Sequence, residues 1–114
     1  MQQFVLIFRQ GSGAKPSREE QSKRSAEIRA WAKKWTEEGY TFDPRALSQE
    51  AYEIAPEGES DGATGRQVIN LLFLTAKDFE DAVRIAKSHP GTRFGTFIEV
   101  RAWTPPVLPA ADAR

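Results

Sequence analysis

The groups able to do chemistry in this chain are few, and they gather late in it. The stretch "AKSHPGTRFGTFIEVRAW", residues 86–103, holds the only histidine, His89, and then Glu99 and Arg101 set between Phe97 and Trp103. An imidazole there could serve as a general acid or base, or bind an anion. Its place just before Pro-Gly equally suits a helix end, where the negative pole of the helix dipole favours a histidine cation and raises its pKa. Glu99 and Arg101 are two apart and so share one face of an extended strand. They read either as a cross-strand ion pair or as the few polar groups of an otherwise apolar pocket. Arg9, closing an apolar run near the start, can add a second cation. Aromatic walls with these charges suit a flat, weakly acidic organic ligand.

Other chemistries are excluded by composition. Cysteine is absent, which removes disulfides, thiolate metal sites and thiol nucleophiles. With one histidine and no cysteine, no transition-metal site is expected, and no cofactor motif is present. "GSGAKPS" contains G-x-G but not the Gly-Lys-Ser/Thr of a phosphate loop. Sixteen Lys and Arg balance sixteen Asp and Glu, so no net basic field is available for nucleic acid or an anionic membrane. The five-residue apolar run of "MQQFVLIFRQ" is too short for a signal peptide or a span. A soluble, cytoplasmic protein with no nucleic-acid or membrane partner is expected.

These residues need a scaffold, and 114 residues allow one domain. "QFVLIFR" predicts a strand. Ser17 and Glu20, at capping-box spacing after Pro16, open a helix whose Ile28, Trp31, Ala32 and Trp35 form one apolar stripe and which Gly39 ends. The basic residues of that helix are interleaved with acids and predict a solvated face. "YTFDPRAL" and "AYEIA" are weak edge strands, and "PEGESDGATG" is a polar loop. "RQVINLLFL" is a second central strand, followed from Thr75 or Lys77-Asp78 by a helix with Phe79, Ala82, Val83 and Ala86 buried. "TFIEVRAW" alternates, with Ile98, Val100 and Ala102 on one face and Phe97, Glu99, Arg101 and Trp103 on the other. The domain spans 1–103, and residues 104–114 form an extended or disordered tail.

The order β-α-β-β-α-β predicts a ferredoxin-like α+β fold: an antiparallel sheet, first and third strands central, two helices on one face. Both parities of the central strands are apolar, in "FVLIF" and in "VINLLFL". Helices can cover one face, so a monomer would expose an apolar sheet face larger than soluble monomers usually carry. A homodimer through that face is expected.

The stretch "INLLFLTAKDFEDAVRIAKSHPGTRFGTFIEVRAW" resembles the C-terminal half of the YCII-related (DGPF-type) proteins. They share an apolar strand, a helix of form DxxDAxxxA, His-Pro, a glycine, and "IEVR" on the last strand. The first strand and "RSAEIRAWAKKWTEEG" match more loosely, so the resemblance covers most of residues 2–103; of the DGPF signature, only Asp61-Gly62 is kept. The resemblance implies a dimeric α+β barrel whose two sheet faces enclose a pocket. In the family's enzymatic branch the first helix carries a histidine with an acid near its end. Aligned on Gly39, those positions fall at Glu27 and about Glu37. Two carboxylates can replace a His–Asp dyad at neutral pH only where burial raises one pKa.

The catalytic candidates are therefore His89 and Glu27. The ligand-binding candidates are Arg9, Phe97, Glu99, Arg101 and Trp103. Two functions are expected: binding of a small acidic or aromatic molecule in a dimer-barrel pocket, with cofactor-independent acid/base chemistry, or a non-catalytic ligand-binding, regulatory or protein-interaction dimer.

Overall fold

Alternation along the strands decides which side of the sheet is buried. The computed structural model describes residues 1–11, 16–61 and 66–105. The expectations for most of "GSGAKPS", for residues 62–65 of the polar loop and for the tail beyond Pro105 lie outside them. The elements are β1 (Gln2–Arg9), α1 (Arg18–Glu37), β2 (Phe42–Ala46), β3 (Tyr52–Ala55), β4 (Gly58–Asp61), β5 (Val68–Ala76), α2 (Phe79–Lys87), a 3₁₀ turn (Pro90–Phe94) and β6 (Phe97–Ala102). Four strands form one antiparallel sheet in the order β2-β5-β1-β6. This α+β arrangement of four strands and two helices is compatible with a ferredoxin-like fold.

In register, Phe42, Leu74, Phe4 and Ala102 form one row across the sheet, and Pro44, Leu72, Leu6 and Val100 the next on the same face. That face packs with Trp31 and Trp35 of α1 and Ala82, Ile85 and Ala86 of α2 into the core. The other face carries Val5, Ile7, Leu71 and Phe73 between Asp43 and Arg45 at one edge and Glu99 and Arg101 at the other. Neither helix covers it.

Local chemistry fixes each helix end. The Ser17 hydroxyl accepts from Glu20 N–H at 3.1 Å, and the Glu20 carboxylate accepts from Ser17 N–H at 3.2 Å, so the expected capping box is present. Gly39, at φ +101°, turns the chain after α1 in a region that L side chains rarely enter. Gly11 answers a different need: a Cβ there would lie 1.9 Å from the Gly95 carbonyl oxygen.

Two expectations are corrected. Residues 58–61, read as loop, form β4 and pair with β3 in a separate two-stranded hairpin. Phe79 does not join the buried stripe of α2; it is 51% exposed in the first turn, while Ile85 is fully buried in its place. Asp81, a carboxylate on the inner side of α2, is also buried.

Asp81 is satisfied by its neighbours. Its Oδ2 accepts from Tyr40 Oη at 2.8 Å and from Lys77 N–H at 3.1 Å, and Arg84 donates to Oδ1 at 2.6 Å. Burial alone would raise its pKa, but the Lys77 N–H, Arg84 and Tyr40 outweigh that and hold it at about 2. The two helices are joined more directly at Ser88. Its hydroxyl accepts from Trp31 Nε1 at 2.9 Å and Trp35 Nε1 at 3.1 Å, and donates to the Ile85 carbonyl at 2.7 Å.

Two outcomes follow. Ser88→Ala leaves the Trp35 indole N–H without its acceptor and the Trp31 indole N–H with only the Ile85 carbonyl at 3.3 Å, and should cost about 1–3 kcal/mol in urea unfolding followed by tryptophan fluorescence; an unchanged midpoint would show that the hydroxyl does not join the helices. Asp81 stabilises the fold above the ordinary carboxyl pKa of about 4, and that contribution disappears as pH falls through its folded value of about 2. Asp81→Asn should flatten this acid limb in circular dichroism.

Candidate functional site

Apart from Glu27, the sequence's candidate groups separate onto the two faces of the sheet. On the open face, Arg9 Nη2 lies 3.1 Å from Glu99 Oε1, and Arg101 Nη1 lies 3.1 Å from Glu99 Oε2. Hydrogen bonds from Arg9 and then Arg101 hold the Glu99 carboxyl below its usual range. The Arg66 guanidinium stacks 3.9 Å above the Phe97 ring centroid, and Trp103 meets Phe73 edge-on at 5.6 Å. The five ligand-binding candidates thus share one surface, beside Val5, Ile7 and Phe73. Both arginines there already share one carboxylate.

Glu27 belongs to neither face of the sheet. Its carboxylate pairs with Arg93 of the Pro90–Phe94 turn and makes no hydrogen bond with His89. Glu37, in the last turn of α1, is exposed.

His89 lies on the helix side, 5% exposed, with its ring 4.9 Å from Phe8 and 4.6 Å from Trp31. The expected helix-end role is corrected. α2 ends at Lys87 with Ser88 as its cap, and His89 instead caps the following 3₁₀ turn, its Nδ1 accepting from Gly91 N–H at 2.9 Å. An Nδ1 that accepts leaves the ring proton on Nε2, so the imidazole is neutral. The expected rise in its pKa is reversed: burial, then the charge of Arg24, lowers it to about 4.

Beside this ring is a cavity of about 520 Å³ between α1 and the sheet. Phe8, Ile28, Trp31, Phe42 and Leu72 give it apolar walls, and Arg24, Asn70, His89 and Thr96 are among its polar groups. That make-up and size are those of a small-molecule site. A larger depression of about 630 Å³ runs along the outside of α2, but it is an open groove among Glu80, Arg84 and Lys87. The cavity arises because α1 meets the sheet through large side chains near its C-terminal half, Trp31 and Trp35, whereas Ile28 and Ala32 face the shallow edge formed by Pro44 and Ala46.

The sequence reading missed Arg24, Asn70 and Thr96. Arg24 carried a legible signal, since positions 24, 28, 31 and 35 form one helical stripe with a cation at its head. Asn70 is the lone polar residue inside "VINLLFL" and shares a row with Phe8 and Ile98. Thr96 precedes β6, and its hydroxyl accepts from Arg24 Nη2. Among the described residues, no three His, Cys, Asp or Glu side chains gather as metal ligands, and no helix is long and apolar enough to cross a membrane.

No family model and no curated protein matches the chain.

Proton binding by His89 gives a direct check. The unfolded chain takes up this proton near the ordinary value of 6.5 and the folded chain only near 4. The unfolded state therefore binds more protons between these values, and stability falls as pH drops from about 6.5 to 4, by about 3 kcal/mol in all. His89→Gln should remove this slope, and the Cε1 proton resonance should titrate near 4 in the native protein. A midpoint near 6.5 would contradict the buried, neutral ring.

Proposed function

We propose that this chain is a YCII-related, ferredoxin-like domain that binds a small organic molecule in the cavity under α1 and pairs with a second copy through its open sheet face, as in a dimeric α+β barrel. The carrying observation is the cavity itself, with apolar walls and a few converging polar groups. Its position differs from the barrel pocket expected between two sheet faces. The open face supports the pairing instead: Val5, Ile7, Leu71 and Phe73 form its middle, uncovered by either helix, and Phe97 and Trp103 are 47% and 36% exposed beside them.

Binding is favoured over acid/base catalysis by the state of His89. A neutral ring with Nδ1 engaged by Gly91 is neither a ready base nor a proton source at neutral pH. Among the described residues no carboxylate hydrogen-bonds it, so it has no partner of the kind that orients and charges a catalytic histidine. What it offers a ligand is a fixed N–H donor.

The neutral fluorophore N-phenyl-1-naphthylamine should bind saturably, one per chain, with energy transfer from tryptophan. Ala46→Trp, at the cavity mouth, should abolish this binding. Binding that survives Ala46→Trp but is lost on Phe73→Glu would place the site on the open face and overturn the cavity reading. For the assembly, sedimentation of the native protein at micromolar concentration should give twice the chain mass, and Phe73→Glu should give monomers or aggregates, because a buried unpaired charge is costly. A stable native monomer would refute the pairing.

A further inference from the structure

We infer that the cavity under α1 selects molecules whose apolar body carries a carboxylate or a similar planar anionic group, seated between Arg24 and His89. This rests on the small-molecule reading above and names the ligand class for the same site.

Two donors converge there without an acceptor to match them. Arg24 is half-buried on the inner side of α1, donates to the Thr96 hydroxyl, and lies 5.8 Å from the Phe94 ring centroid. Among the described residues it has no carboxylate partner, unlike Arg9, Arg45, Arg84, Arg93 and Arg101, each of which is paired. A guanidinium carries five N–H donors in a planar fork that fits a carboxylate, and Thr96 takes up only part of that capacity. His89 supplies the second donor. A Cβ on Gly91 would lie 2.9 Å from Nδ1 and 3.1 Å from Cε1, so that edge of the ring is turned to Gly91. Nε2–H is not engaged by Gly91, no described residue accepts from it, and His89 lines the cavity, so this is the donor a bound anion would meet.

The charges around the site agree. Arg24 is close enough to disfavour a proton on His89, and an anion between them would relieve that repulsion while satisfying both donors. No Asp or Glu lines the cavity to compete for them. The other cation at its wall, Arg45, is held by Asp43 and the Pro44 carbonyl. The remaining walls are aromatic and aliphatic, with Trp31 and Phe42 5.1 Å apart between centroids. A planar ring system bearing one acid group meets both requirements.

The test is competition between 2-naphthoate and 2-naphthamide for displacement of N-phenyl-1-naphthylamine. The acid should displace the dye at about ten- to hundredfold lower concentration than the amide, the range of one or two charge-assisted hydrogen bonds. Arg24→Met should erase the difference, so that acid and amide displace at equal concentrations. His89→Phe should narrow it several-fold; should that variant not fold, Arg24→Met carries the result alone. Dye binding with equal displacement by acid and amide, or a preference that survives Arg24→Met, would overturn the anion assignment and leave the cavity as a site for neutral molecules. Failure of the dye to bind at all would instead overturn the small-molecule reading on which it rests.

Discussion

Two indole N–H groups from successive turns of α1 converge on the Ser88 hydroxyl, which donates in turn to the Ile85 carbonyl at the end of α2. This arrangement fixes the separation of α1 from the sheet. Trp31 and Trp35 are the only residues of α1 buried as fully as the core, and their size props the helix where the hydroxyl holds it. Toward the N-terminus the stripe continues with Ile28 and Arg24, which do not fill the space above Leu72 and Asn70. The cavity is thus a consequence of how the helices are joined. Because His89 follows Ser88 directly, the same contact delivers the imidazole to the cavity wall.

Among the described residues, the buried negative charge is satisfied and a half-buried positive one has no counter-ion. Asp81 receives donors from Tyr40, Lys77 and Arg84 and is closed to anything further. Glu99 on the open face is gripped by two arginines. Arg24 has the reverse position, a half-buried cation that meets the Thr96 hydroxyl and the Phe94 ring but, among the described residues, no carboxylate. Placing a charge in such surroundings is unfavourable unless something compensates it. A site that receives an anion is one physical reason for a chain to keep that arrangement, and the aromatic walls beside it account for the rest of the lining.

Much of the fold was legible because its signals are local. The Ser17–Glu20 capping box, the Trp31–Ala32–Trp35 part of the α1 stripe and the alternation of "TFIEVRAW" each depend on neighbours within a few residues, and each is found where expected. The hairpin of β3 and β4 was not legible, because "PEGES" reads as turn residues and its pairing satisfies backbone groups without an apolar pattern. Phe79 and Ile85 exchanged roles for a similar reason. Periodicity admits both, and only the position of α2 over Phe4 and Leu6 selects Ile85 for the interior. Of the cavity's polar groups only His89 was singled out in the sequence, and the charged ligand-binding candidates lie on the far face of the sheet. His89, Arg9, Glu99 and Arg101 were all identified, yet nothing in their spacing says that the first stands on the opposite side of the sheet from the other three.

His89 shows why the local reading of a helix end can give the wrong sign for its chemistry. The dipole of α2 would favour the cation, an effect of at most about 2 kcal/mol when partly buried. Enclosure between Phe8 and Trp31 and the nearby charge of Arg24 both favour the neutral ring, and together they prevail. The Pro90–Phe94 turn then uses that neutrality: Nδ1 can accept from Gly91 N–H only while it is unprotonated. The stop after α2 and the site under α1 are therefore one feature. The turn fixes the tautomer, and the tautomer sets which nitrogen can donate into the cavity.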